Sequence, residues 1–70
     1  MFTVYIYKYC RKADQQGRLL KHYIATGSIE QIMEGARVKC KQLSSQAEGF
    51  QIEVESLDNT MFYAETIEEL

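Results

Sequence analysis

The sequence predicts an α+β fold, a two-layer ββαββ sandwich in which one helix lies on one face of a four-stranded antiparallel sheet. Three observations support this prediction. Residues 2–9 and 50–57 alternate in side-chain character with the period of a β-strand. Between them, residues 29–43 repeat apolar side chains every three or four positions, as an amphipathic helix does. The 70 residues, 46% hydrophobic and 26% charged, predict a single domain over residues 1–70 with a small core.

The first predicted hairpin begins with the strand Phe2–Tyr9, which places Val4 and Ile6 on one face and tyrosines on the other. Residues 10–18 are polar and basic, and they predict a long hairpin loop. The second strand, Leu19–Thr26, has two possible faces. Leu20 and Ile24 lie on one face with a histidine, and residues 19, 21, 23 and 25 lie on the other. We expect the first of these faces to be buried.

The predicted helix starts at a capping box, because Ser28 and Gln31 have the spacing at which each side chain reaches the other's backbone N–H. The apolar stripe at positions 29, 32, 33, 36, 40 and 43 predicts that the helix runs from Ile29 to Ser44 or Ser45. A right-handed crossover then places the third strand beside the first. The predicted sheet order is therefore 2-1-3-4.

The second predicted hairpin joins residues 50–57 to residues 61–65 through a turn at Asp58-Asn59. A two-residue turn would place Tyr63 beside Val54, whereas a three-residue turn would place Phe62 there. We expect the three-residue turn, because it buries phenylalanine rather than tyrosine. The last five residues are too few for more than one helical turn, and they predict a frayed end or a docking stub.

Charge is divided unevenly along the chain. Residues 1–43 contain all eight basic side chains and three acidic ones, a net charge of +5, whereas residues 44–70 contain seven acidic side chains and no basic one, a net charge of −7. Such a division is typical of a surface for nucleic acid or an acidic partner, of an acidic decoy surface, or of head-to-tail self-association. Alternatively, the opposite charges meet across neighbouring strands and cancel.

Two groups of residues are candidates for binding a partner. Tyrosines on the sheet face away from the helix, beside acidic side chains of the third strand, suit protein recognition, because tyrosine offers a large contact area and a polar tip. The basic loop next to these tyrosines has the mixture of cations and aromatic rings that single-stranded nucleic acid needs. The predicted partner-binding residues are Tyr5, Tyr7, Tyr9, Arg11, Lys12, Arg18, Glu53 and Glu55.

The sequence predicts neither an enzyme nor a cofactor or metal site. Cys10, His22 and Cys40 lack the spacing of zinc ligands, and nothing places a nucleophile next to the histidine. Cys40 lies on the apolar stripe of the helix, which predicts a core residue. No apolar run is long enough to cross a membrane, so we expect a cytoplasmic protein without a membrane partner.

The layout of the strand V-Y-I-Y-K-Y, the helix opened by Gly27-Ser28-Ile29 and the closing hairpin around Asp58-Asn59 resembles that of small phage-encoded anti-CRISPR and other anti-defence proteins. The resemblance implies a stoichiometric inhibitor that covers a surface of a host nuclease or guide complex, with the acidic half as a mimic of nucleic-acid charge. We therefore expect a non-enzymatic protein-binding module, an inhibitor or adaptor, with a host protein or protein complex as partner. The alternative is a small nucleic-acid-binding protein that uses residues 8–21. A homodimer is also expected, because one helix leaves a sheet face uncovered.

Overall fold

The computed structural model describes residues 1–10 and 15–68, and it confirms the predicted α+β fold. The elements are β1 Phe2–Cys10, β2 Gln15–Ala25, α1 Ile29–Gln42, β3 Gly49–Ser56 and β4 Phe62–Ile67. The sheet is antiparallel throughout, with the predicted order β2-β1-β3-β4, so β1 and β3 are central and β2 and β4 are the edges. No helix among the described residues is long and apolar enough to cross a membrane.

The core lies between α1 and the two central strands. Alternate side chains are buried in the middle of β1 and along β3, as the alternation predicts, and the apolar stripe of α1 covers them. Burial raises the pKa of the Cys40 thiol to about 11, so the thiol remains protonated at neutral pH. The core residues are Val4, Ile6, Ile32, Met33, Ala36, Cys40, Phe50, Ile52 and Val54.

The predicted capping box is confirmed. The Gln31 N–H donates to Ser28 Oγ, and the Ser28 N–H donates to Gln31 Oε1, each at 3.2 Å. The helix ends at Gln42, two or three residues earlier than predicted, because the Leu43 N–H donates to the carbonyls of both Lys39 and Cys40 and so tightens the last turn.

Two glycines near each other in sequence predict opposite effects of the same substitution. Gly35 lies inside α1, and a Cβ there would meet nothing within 4 Å. Gly35→Ala is therefore expected to stabilise the protein by about 1 kcal/mol, because alanine is the better helix former. Gly27 has a φ of 121°, so Gly27→Ala is expected to destabilise it by about 1–2 kcal/mol. Urea denaturation of both variants tests the pair, and a stabilising Gly27→Ala or a destabilising Gly35→Ala would contradict it.

Basic side chains of the helix contact both edge strands. On the β4 side, Arg37 Nε and Nη2 each donate to a carboxylate oxygen of Glu65 at 2.7 Å. On the β2 side, Lys39 Nζ lies 4.6 Å from the centroid of the Tyr23 ring, a cation–π distance. The hydrogen bonds from Arg37 lower the pKa of Glu65. Two of the basic residues near the end of α1 therefore stabilise the packing of the two layers.

β2 is longer than predicted and contains two bulges. It begins at Gln15, so residues 15–18 of the predicted loop 10–18 belong to the strand, whereas residues 11–14 lie outside the described residues. The pairing with β1 shifts by one residue between Ile6 and Tyr7 and again between Tyr7 and Tyr9. At each shift, two residues of β2 lie opposite one residue of β1, which defines a β-bulge.

The first bulge explains why the predicted buried pair of β2 is half wrong. Leu20 packs against the core as predicted, but Ile24 is 62% exposed. On the C-terminal side of this bulge, the other alternate residues of β2 face the helix, so Tyr23 and Ala25 cover the core instead of Ile24. A bulge reverses which alternate positions are buried, and strict alternation cannot anticipate it.

The predicted register of the second hairpin is also wrong. Tyr63, rather than Phe62, pairs with Val54, and Phe62 is 60% exposed on the other face. The Ser56 N–H donates to the Met61 carbonyl at 3.0 Å, so the connection is the four-residue loop 57–60. Because side chains alternate along a strand, a four-residue loop puts the same β4 residues on the helix side as a two-residue turn would. The two-residue turn is the alternative that we did not favour. β4 then continues to Ile67, so residues 66 and 67 are strand rather than a frayed end.

A polar network holds this loop. Asp58 Oδ1 accepts hydrogen bonds from the Thr60 hydroxyl at 2.6 Å, the Ser56 hydroxyl at 2.7 Å and the Thr60 N–H at 3.1 Å. Ser56 Oγ in turn accepts from the Met61 N–H at 3.0 Å. Asn59 has a φ of 61°, the left-handed conformation that asparagine tolerates in turns.

The network predicts a pH dependence of stability. The hydrogen bonds from Thr60 and Ser56 lower the pKa of Asp58 from 3.8 to about 2. A depressed folded-state pKa contributes stability above the unfolded value, and that stability is lost as the pH falls from about 4 to about 2. Asp58→Asn keeps an acceptor but does not titrate, so its melting temperature is expected to fall less than that of the wild type over this pH range. Parallel curves for the two proteins would contradict the prediction.

Candidate functional site

The candidate site is the sheet face opposite α1, which we call the open face. Its residues form rows across the four strands, because paired residues on neighbouring strands project to the same side. In strand order β2, β1, β3, β4, the three rows are Ile24, Thr3, Glu55 and Phe62; His22, Tyr5, Glu53 and Ala64; and Leu19, Tyr7, Gln51 and Thr66.

Aromatic rings occupy the middle of the open face. The Tyr5 ring stacks against Tyr7, with centroids 6.3 Å apart and ring planes 24° apart. It also stacks against His22 from β2, at 6.5 Å and 30°. Both tyrosines are half-buried on a central strand, so they present a preformed aromatic surface that loses little entropy when a partner covers it.

Carboxylates border these rings on the β3 side. Glu53 pairs with Tyr5 and Glu55 pairs with Thr3, and both glutamates are partly exposed. Burial raises the pKa of Tyr7, and the charge of Glu53 and the neighbouring Tyr5 raise it further. The phenol therefore remains a hydrogen-bond donor at physiological pH, next to acceptors on the neighbouring strand.

Exposed apolar side chains lie at both edges of the open face, and two of them, Ile24 and Phe62, were predicted to be buried instead. Ile24 is 62% exposed on β2, and Phe62 is 60% exposed on β4. Leu19, 39% exposed, adds to the β2 side. Exposed apolar groups next to aromatic rings add contact area that another molecule can cover. The bulge in β2 turned Ile24 outward, and the even loop before β4 turned Phe62 outward.

The structure brings together part of the predicted partner-binding set. Tyr5, Tyr7, Glu53 and Glu55 lie on the open face, as expected from the pairing of β1 with β3. Tyr9 pairs with Gly49 and Gln16 in the row beyond them.

The predicted basic cluster is placed differently. Arg18 is exposed on β2 rather than in the loop, and lies in the second bulge opposite Lys8. Arg11 and Lys12 lie outside the described residues.

The uneven distribution of charge along the chain places positive charge on one side of the sheet, at β1 and β2, and negative charge on the other, at β3 and β4. Within the described residues, the first hairpin carries Lys8, Arg18 and Lys21 without an acid, and residues 49–68 carry acids without a cation. Among the described residues, the one ion pair joins Arg37 of α1 to Glu65 of β4 and does not connect two neighbouring strands. The alternative that opposite charges cancel between strands is therefore not what the described part shows.

Comparisons with protein-family models, curated proteins and solved structures find no match. Within the described residues, no three His, Cys, Asp or Glu side chains are grouped so that they could hold a metal ion. The open face offers ring faces, phenol donors, carboxylate acceptors and apolar edges, which are the groups that protein interfaces use.

Proposed function

We propose that this protein is a non-enzymatic protein-binding module whose open face docks on a partner protein. The observation that supports the proposal most is the stacking of Tyr5 against Tyr7 on the central strand β1 and against His22 on β2, with exposed Ile24 and Phe62 at the edges of the same face. Tyrosine-rich centres with apolar surroundings provide the anchoring residues of protein interfaces. A stoichiometric inhibitor or adaptor, including an inhibitor of a host defence nuclease complex, acts through such a surface.

Nucleic acid is the less favoured partner. A strand of nucleic acid stacked on Tyr5 and Tyr7 would bring its phosphates close to the carboxylates of Glu53 and Glu55. The negative charges of the phosphates and of the carboxylates would repel each other, and this repulsion opposes binding. A basic protein surface, in contrast, would meet these carboxylates with opposite charge.

The proposal is tested by affinity capture from host lysate, followed by hydrogen exchange of the purified complex. The expected result is one defined partner at 1:1 stoichiometry, with slowed exchange at β1 and β3 amides beneath the open face. Protection confined to α1 would contradict the proposal. A mobility-shift assay with single-stranded DNA and RNA is the second arm, because binding that falls steeply with salt would support the nucleic-acid alternative instead. Sedimentation of the isolated chain shows whether a second copy covers the face.

A further inference from the structure

The two edges of the sheet differ in how open they are to an additional strand. β2 carries two bulges and the cations Arg18 and Lys21, features that discourage pairing at an edge. β4 has an unbroken register with β3 from Phe62 to Ile67, and Glu65 is its one charged residue. The β4 edge therefore lacks the protection that the β2 edge has.

The backbone of β4 offers hydrogen-bonding groups along this edge. The Ser56 N–H donates to the Met61 carbonyl, and hydrogen-bonded pairs alternate along an antiparallel ladder. The residues that turn their N–H and C=O groups away from β3 are consequently Phe62, Ala64 and Thr66. All three are exposed. A strand added to β4 would satisfy these groups.

A groove of about 540 Å³ lies beside the same edge, between β4 and the first half of α1. Its apolar lining comes from Ile29, Met33 and Tyr63. Its charged lining consists of one guanidinium, which is hydrogen-bonded to Glu65, and three carboxylates, so the groove has a net negative charge. The charged residues are Glu30, Glu34, Arg37 and Glu65.

We propose that the β4 edge binds an extended segment of a partner protein as a fifth strand, with Lys or Arg at alternate positions. Alternate side chains of an added strand point to opposite faces. On the helix side, a basic side chain would lay its aliphatic stem on Met33 and Tyr63 and direct its charge toward Glu30 and Glu34. On the open face, an apolar side chain would cover Phe62 beside the small Ala64. A second copy's β4 fits less well, because it would bring a second Glu65 carboxylate to this acidic edge.

The inference is independent of the proposed function, and a defined probe tests it on the full chain. The probe is a capped, fluorescent peptide of alternating valine and lysine, six residues long, with a valine–glutamate peptide and a backbone N-methylated lysine peptide as controls. Fluorescence anisotropy is expected to show the lysine probe binding about tenfold or more tighter than either control, because the controls lose the charge match or the backbone donors. Equal binding of the three peptides would overturn the proposal.

Two variants at one position isolate the backbone contact. Ala64→Pro removes an outward N–H without removing a β3–β4 hydrogen bond, and proline is tolerated on edge strands. We expect it to weaken probe binding about tenfold, whereas Ala64→Ser, which keeps the N–H, leaves binding unchanged. Equal effects of the two would overturn the proposal.

A measurement on the wild type covers the case in which Ala64→Pro does not fold. The lysine probe is expected to slow hydrogen exchange at the amides of Phe62, Ala64 and Thr66, and unchanged exchange there would refute strand addition.

The double variant Tyr5→Ser/Tyr7→Ser is expected to bind the probe normally, since its changes lie on the open face of β1. Loss of probe binding in that variant would place the peptide on the open face and overturn the edge site.

Discussion

Ile52→Asp is expected to unfold the protein. Ile52 is fully buried on the central strand β3, paired with Ile6 and covered by α1. Removing a buried isoleucine costs about 2–5 kcal/mol, and an unpaired buried carboxylate adds several more. A protein of this length is stabilised by only about 4–10 kcal/mol in total. Circular dichroism and thermal melting are expected to show no cooperative transition.

The matched control is Ile24→Asp, the same change on the other face of the sheet. Because Ile24 is 62% exposed, we expect this variant to keep its fold and to lose about 0.5 kcal/mol or less. From the helix side, Met33→Asp and Val38→Asp form a second pair, since Met33 is 8% exposed and Val38 is 50% exposed. A folded Ile52→Asp protein, or an unfolded Ile24→Asp protein, would mean that the wrong face has been assigned to the core.

The second large effect concerns partner binding. Replacing both Tyr5 and Tyr7 with serine is expected to weaken binding of the captured partner about a thousandfold, because two anchoring residues at about 2 kcal/mol each are lost. The fold is expected to survive, since neither ring is in the core. Tyr63→Ser is the control, because it removes the same kind of side chain from the helix side of the sheet. Surface plasmon resonance measures the affinity of the wild type, the Tyr5→Ser/Tyr7→Ser variant and the Tyr63→Ser variant for the captured partner.

A charge reversal distinguishes the two binding hypotheses. Changing Arg11, Lys12 and Arg18 to glutamate is expected mainly to slow association, because charges at the rim of an interface guide the encounter more than they hold the complex. If this variant loses all binding while Tyr5→Ser/Tyr7→Ser binds normally, the open face is not the contact surface. The basic hairpin would then be the site, with nucleic acid or an acidic protein as partner.

Local signals predicted the elements and the centre of the candidate site. The capping box of Ser28 and Gln31 fixed the start of α1, and the alternation of β1 and β3 placed Tyr5 and Glu53 on one face before any pairing was known. These predictions succeed because each depends on residues a few positions apart or on a pattern without interruption.

The edge strands could not be predicted in the same way. Ile24 and Phe62 each face the side opposite to the expected one, because a bulge in β2 and a four-residue loop before β4 each change the facing of everything that follows. One inserted residue reverses a whole strand, and its position depends on tertiary pairing rather than on composition. The apolar edges of the open face were missed for this reason.

The pairing of β1 with β3 has a consequence for when the protein can fold during its synthesis. Phe2 pairs with Ser56, so the central ladder joins segments that lie far apart in the chain. Until Ser56 has left the ribosome, the apolar face of the first hairpin has neither β3 beside it nor the complete core beneath it. Distant pairing of this kind slows folding relative to helical proteins of equal length. The nascent chain therefore exposes the apolar face of its first hairpin until β3 has emerged, which makes it a candidate client for ribosome-associated chaperones.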